Sequence, residues 1–303
     1  MTWQMYRWVW QLRSPLHVGC GPAGALNRTR LYIPARNMWA ALTAEIARRL
    51  DNASFPAYTD IGRILQEHVR FTYLYPAEQV NGRWLAWLPH YVQEDKKAGL
   101  YWYREDNARS LPDRRFRQRL LHTQPGTALA PGTGAAEDGT LREVEYIQPF
   151  WRTEKTSGDT MPHPVAFVGY LFLRESWPSD IEHIKNTLQG IRELYVGGET
   201  RYGFGHLSLL LHNSQGPWER VSDCFGAQVH LTQDEPVIEN PHHLFAHTFQ
   251  DHDPAEKGAW ELLVQWDWDT FRSLESPHWV PGSQARSATR FIILDSGLWQ
   301  AQR

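Results

Sequence analysis

Residues 194–208 read Leu194-Tyr-Val-Gly-Gly-Glu-Thr-Arg-Tyr-Gly-Phe-Gly-His-Leu-Ser208. Four glycines fall within nine positions, Gly197, Gly198, Gly203 and Gly205, interleaved with Thr200, Arg201, Tyr202 and Phe204. Glycine permits positive φ and close backbone approach, so successive amides can converge on phosphate oxygens. Arg201 adds a planar fork that suits phosphate, and Tyr202 and Phe204 offer rings on which a base can stack. The bland alternative is a wide turn whose rings pack into the core, and local chemistry alone does not choose between the two.

Working outward, Ser179 with Glu182 three residues later, after Pro178, has the form of a capping box and predicts a helix. Ile181, Ile184, Leu188, Ile191 and Leu194 form its apolar stripe. Residues 165–173 before it and 206–211 after the glycines are β-prone. At the N-terminus, Gln4, Tyr6, Trp8, Trp10 and Leu12 alternate with Met5, Arg7 and Val9, the period of a strand that runs to about Leu16. Residues 17–30 then read as a Gly- and Arg-containing loop. A helix follows on Met38, Leu42, Ile46 and Leu50, with Asn37 as its expected N-cap. Asn81-Gly82 joins two β-rich runs, 69–75 and 83–88, as a hairpin. Residues 113–139 carry Arg114, Arg115, Arg117 and Arg119 and then a Pro/Gly/Thr/Ala tract, which predicts a mobile loop.

Strand, helix, hairpin, helix, strand is the order of an α+β, ferredoxin-like (RRM-like) domain. The expected division is such a domain over 1–216, with a long insertion at about 100–145, and a β-rich C-terminal region over 217–303. In that region Trp260, Leu262, Val264, Trp266 and Trp268 alternate with polar residues, which predicts a half-buried strand, and residues 291–294 predict another.

The 303 residues carry a net charge of −3, with 42% hydrophobic and 21% charged residues, so the chain folds and any nucleic-acid site must be a local basic groove. Cys20 and Cys224 are the only cysteines, too few for a disulfide framework or a thiolate zinc site, which fits a reducing compartment. Neither a signal-like apolar core near the start nor an apolar run of 18 residues occurs, so a cytoplasmic location without membrane partners is expected.

The segment 194–208 with its preceding helix resembles the C-terminal glycine-rich loop of the repeat-associated mysterious protein (RAMP) superfamily of CRISPR-Cas proteins. Leu12-Arg-Ser-Pro-Leu-His-Val-Gly19, a short loop and Tyr32-Ile-Pro-Ala-Arg-Asn-Met-Trp-Ala-Ala-Leu42 are similar to the family's first strand and its "IPGSSLRGAL"-like helix start. Together the two motifs span about the first 210 residues. The resemblance implies a ferredoxin-like subunit of a crRNA-guided, type III-like effector complex in antiviral defence. Its partners would be crRNA, other Cas subunits and, indirectly, target RNA. Carried over residue by residue, RNA contacts are expected at Gly197, Gly198, Thr200, Arg201, Tyr202, Gly203, Phe204 and Gly205, and at Arg36 and Asn37. At the helix start the family has Gly-Ser-Ser where this chain has Ala35-Arg36-Asn37, which weakens that part of the match.

RAMP subunits that cut target RNA carry an Asp in the loop after the first strand. Residues 17–30 contain neither Asp nor Glu. His17, Gly19, Arg28 and Arg30 there can touch RNA but supply no carboxylate, so no target cutting, metal or cofactor is expected. His17 is the one candidate base for the alternative of a metal-independent crRNA-processing endoribonuclease, but a lone His is more often structural. A third reading is a protein-interaction scaffold without direct RNA contact. His230, His242, His243, His247 and His252 cluster in sequence, and His243 and His247 have the spacing of one helix face. With no cysteine and no H-E-x-x-H motif, solvated histidines are the expectation over a zinc site. The Arg114–Arg119 run is either a solvated face or a grip on RNA or a neighbouring subunit.

Overall fold

The chain is a mixed α/β structure dominated by strands, and its computed structural model describes residues 2–50, 56–94, 97–152, 162–211, 217–267, 270–273 and 276–302. β1 (Trp3–Leu12) carries the alternating run. Its buried residues are Trp3, Met5 and Arg7, then Trp8, Trp10 and Leu12, so the parity switches mid-strand and both sheet faces are covered. Buried Arg7 donates to the Trp84 carbonyl at 2.6 Å and to Glu105 at 3.1 Å.

The strand ends at Leu12, short of the expected Leu16. Residues 17–30 are not an open loop: β2 (Gly19–Ala23) and β3 (Leu26–Thr29) pair antiparallel around Gly24, whose φ is 65°. Helix α1 (Ala35–Leu50) buries Met38, Leu42 and Ile46 as its periodicity demands, and Leu50 is 40% exposed. Asn37 lies inside the first turn rather than at the cap, because the helix begins directly after Pro34, and the Asn37 N–H bonds the Pro34 carbonyl at 3.0 Å.

Helix α2 (Tyr58–His68) leads into β4 (Val69–Phe71), and β5 (Tyr75–Val80) and β6 (Arg83–Glu94) form a hairpin at Asn81-Gly82, whose first strand is 75–80 rather than the expected 69–75. Both turn residues have positive φ, 50° at Asn81 and 80° at Gly82, as a right-twisted two-residue hairpin requires. β7 (Lys97–Arg104) and β8 (Ser110–Pro112) continue that sheet.

Residues 113–139 depart most from expectation. Residues 113–126 form a helix and a strand, α3 (Asp113–Leu120) and β9 (Leu121–Gly126), the latter paired with β10 (Arg142–Ile147). Phe116 and Leu120 are fully buried, Phe116 stacking on Trp102 at 4.4 Å. Arg119 is 9% exposed and lies 4.7 Å from the Trp151 ring and 3.2 Å from Glu78. A charge run therefore hides a helix: two apolar residues at i and i+4 suffice once long Arg stems cover aromatic faces.

β11 (Ala166–Arg174) is buried along nearly its whole length. Helix α4 (Glu182–Gly190) begins after Ile181 with no side-chain cap, since residues 178–181 form a separate turn closed by Ile181 N–H to the Pro178 carbonyl. The expected capping box is absent. The helix stops at Gly190, and Leu194 belongs to β12 (Glu193–Tyr195), which pairs with β13 (His206–Leu210). The large sheet runs β12-β13-β1-β11-β5-β6-β7-β8, with β4 also on β11. β1 is antiparallel to both β11 and β13, and α1 packs on α2 and α4.

Residues 219–220 pair with β1, and beyond them a five-stranded sheet is made from Asp223–Cys224, Ala227–His230, Val237–Glu239, Arg290–Ile293 and Trp299–Gln302. Tyr75 donates to the Phe245 carbonyl at 2.9 Å and Phe225 N–H bonds Tyr170 at 3.1 Å, fastening this region to the large sheet. The alternating run near residue 260 is inverted: Trp260, Leu262 and Val264 are 62–63% exposed while Glu261 turns inward. The side chain of Trp266, and Trp268 altogether, lie outside what is described. No helix joins His243 to His247, which point to different neighbours. Among the described residues no group of metal-ligating side chains forms, and no helix is long and apolar enough to cross a membrane.

Candidate nucleic-acid interface

The glycine loop is held by its own backbone. Gly197 and Gly205 have φ of 88° and 80°, and a Cβ at either would strike the carbonyl of His17 or Val196 respectively, so both positions need glycine for space as well as conformation. Gly198 N–H donates to the His17 carbonyl at 2.8 Å and Gly205 N–H to the Pro15 carbonyl at 2.7 Å. Thr200–Tyr202 is a short 3₁₀ turn, closed by Tyr202 N–H to Glu199 and Gly203 N–H to Thr200. Those four amides are thus committed within the protein and do not converge on an external anion.

What the loop offers outward is side chain. Thr200 and Arg201 are exposed, and Tyr202 is 70% exposed. Arg142, on β10, sits 5.5 Å from the Tyr202 ring and 4.0 Å from Glu199. Glu193 pairs with His206 at 2.7 Å. The two carboxylates nearest Arg201 in sequence therefore have other partners. Phe204 is only 7% exposed and packs edge-on to Tyr146 at 5.5 Å, so it anchors the loop and presents no free face. Gln124, Thr140, Arg142 and Tyr202 border a cleft of about 520 Å³ between the loop and the β9–β10 pair.

His17 links this loop to the segment after β1. It is 9% exposed, and its Nδ1 donates to the Glu145 carbonyl at 2.7 Å, a contact that requires the proton on Nδ1. Gly19 and Gly198 lie against the same imidazole. His17, Gly19, Gly197 and Gly198 are thus brought together, while Arg28 is exposed on β3.

A second group forms at the start of α1. Gly19, Arg30, Arg36 and Asn37 border a cleft of about 420 Å³ whose far wall includes Tyr73, His247 and Glu261. Both terminal nitrogens of Arg30 bond the Glu261 carboxylate, so Arg30 is held in a fork-to-fork pair rather than turned to solvent. His247 Nε2 lies 2.9 Å from Glu261 and its Nδ1 2.8 Å from the Tyr73 hydroxyl. Burial pushes Glu261 up, but hydrogen bonds from His247 and Arg30 outweigh it and hold the carboxyl down at about 2. Burial keeps His247 neutral against the pull of Glu261. Nε2–H therefore donates to the carboxylate and Tyr73 O–H donates to Nδ1. Arg36 lies over the Trp39 ring at 5.5 Å. Gly297 fills the remaining space at the helix start, where a Cβ would collide with Ala35.

A family model described as the RAMP superfamily matches residues 11–208, nearly two thirds of the chain, including the glycine loop and the start of α1. This chain belongs to the RAMP superfamily. Among solved structures, this RAMP chain is similar to a chain of the type III-B Cmr-β complex bound to cognate target RNA and AMPPnP, with a TM-score of 0.51 and 12% identity over 92% of this chain and 85% of that one. A chain of the same complex in its apo state aligns with a TM-score of 0.43 and 12% identity, over 70% of this chain and 98% of that one. At such identities the first likeness is one of fold. No curated protein matches the RAMP chain in sequence.

The sequence singles out none of Arg142, Tyr146, Tyr73 and Glu261, and it offers His247 only as one of a cluster of solvated histidines. The alternation Arg142, Val144, Tyr146 against Glu143, Glu145, Ile147 is a strand signal that overlaps the end of the insertion expected at about 100–145. Nothing local announces that Glu261 meets Arg30 across 231 positions.

Proposed function

We propose that this RAMP chain is a crRNA-binding subunit of a type III CRISPR-Cas ribonucleoprotein, in which the face around residues 197–205 holds the guide. The observation that carries the reading is the outward set Thr200, Arg201 and Tyr202, with Arg142 alongside, on a loop locked by glycine contacts to the segment after β1. Two cations and an exposed ring fit a sugar-phosphate strand with an unstacked base. The order β13-β1-β11-β4, with a helix after the first and third of these elements in sequence, supports a ferredoxin-like core. Contact with other Cas subunits, and with target RNA through the guide, belongs to the same proposal.

An RNA-processing role is less favoured by the geometry, because His17 is nearly buried and hydrogen-bonded to a backbone carbonyl, the arrangement of a positioning residue. The test is single-stranded guide-like RNA titrated against the purified chain across ionic strength, with and without a chelator. Salt-sensitive, chelator-independent binding is expected, its slope reporting the phosphates held. Absence of binding would favour the scaffold reading, and cleavage of repeat RNA would favour the endoribonuclease.

A further inference from the structure

Away from the glycine loop, a cleft of about 780 Å³ opens between the β6–β7 strands and the C-terminal sheet. Its most distinctive feature is a ring stack. His90 on β6 lies face to face with His243 at 3.8 Å between centroids and 3° between planes, and against Tyr103 on β7 at 4.7 Å and 21°. Two imidazoles this close cannot both be cationic. Burial, then the mutual repulsion, lowers His90 to about 3, and burial, then His242, lowers His243 to about 4. At neutral pH the wall is therefore an uncharged aromatic surface.

The surrounding charges are paired among themselves. Arg104 is held by Asp106 at 2.9 Å and lies 3.7 Å from Glu78, while Glu239 takes both Arg290 at 2.9 Å and His230 at 2.6 Å. That leaves little attraction for a phosphate or a carboxylate. The cleft is also lined by the amides of Asn107, Gln228, Asn240 and Gln302, groups that donate and accept together, the Asn240 oxygen already taking the Ala288 N–H at 2.9 Å. An apolar side chain entering the cleft would desolvate these amides without bonding them.

We propose that this cleft is a nucleobase site, in which one heterocycle stacks on an end of the His90–His243–Tyr103 column and its edge is read by the side-chain amides. The base can arrive on a free nucleotide or extruded from a single RNA strand; the ring chemistry is the same. The site is separate from the face around residues 197–205 and does not require it.

The test uses the full chain with isotope-labelled histidine, following the ring signals of His90 and His243 by NMR. Titrations use adenosine and uridine monophosphates in one arm and an unstructured oligoribonucleotide in the other. Saturable shifts of both rings are expected; shifts with the oligomer alone assign the strand as the source, shifts in both arms a free nucleotide as well. Tyr103→Ala should weaken the response by about five-fold or more, the scale of one lost base–ring stack. Gln302→Ala, at the rim, tests the edge contacts if the first variant fails to fold. Unmoved rings in both arms overturn the site, as do shifts caused only by a Trp- or Phe-bearing peptide. RNA that binds and cross-links residues 197–205 while the rings stay unmoved removes this inference alone. Ring shifts without any contact at residues 197–205 remove the proposed guide face and leave the nucleobase site standing.

Discussion

Acidification should destabilise this protein through the His90–His243 pair, and the size of the effect follows from the pair's burial. The folded values, about 3 for His90 and about 4 for His243, lie below the ordinary 6.5. The unfolded chain therefore takes up protons first as pH falls. Stability from the neutral pair is complete above about pH 6.5 and is lost progressively below it, down to the folded values. At about pH 5 an unfolded imidazole is almost fully protonated and the folded ones are not, which costs about 2 kcal/mol per group. The repulsion within the His90 shift acts only once His243 is charged, and at about pH 5 both folded rings are neutral, so the two costs add to about 4 kcal/mol. His247 and His278 are also pushed down by burial and add in the same direction, so the pair must be isolated by difference. The comparison is parent against His90→Phe/His243→Phe, which keeps two rings and removes both protonation sites. Urea midpoints at about pH 7.5 and 5 should drop less in the double variant, by the equivalent of about 4 kcal/mol at constant m. Equal drops would mean that the two rings are not held neutral against one another, and the uncharged wall of the cleft would go with them.

Three further outcomes follow from the sites themselves. Arg201→Ala should weaken RNA binding by about 1–3 kcal/mol and lower the salt slope by about one phosphate at unchanged melting temperature, because the side chain is exposed; full affinity in a folded variant removes the loop from the guide face. Gly205→Ala should lower the melting temperature, since φ of 80° and the clash with the Val196 carbonyl both oppose a Cβ, at a cost of more than about 1 kcal/mol; an unshifted melt would refute the contact. Glu261→Ala strands Arg30 and His247, and because Glu261 remains 28% exposed the expected loss is about 2 kcal/mol, below that of a fully buried pair. In a double-mutant cycle with Arg30→Met the losses should be strongly non-additive, and additive losses would deny the pairing.

The parts of the fold that were legible in sequence are those fixed by neighbours a few positions apart. The Asn81-Gly82 hairpin, the four-residue beat of α1 and the apolar run of β11 each carry their own geometry, and the glycine loop announced itself by composition. α3 was not legible because its burial depends on Trp102 and Trp151 lying beneath Phe116 and Arg119, and the sequence of the helix alone shows mostly charge. The run at Trp260, Leu262 and Val264 teaches the complementary point: a period of two says which side chains share a face, never which face is inward. There the decision is electrostatic. His247 is buried and Arg30 largely so on the inner side, and leaving a guanidinium there without a carboxylate costs more than exposing three apolar side chains to water. The same ion pair explains why an arginine expected at an RNA surface is turned into the protein. Arg30 belongs to the joint between the first-strand segment and the C-terminal region, whereas the proposed guide face rests on Arg201 and Arg142.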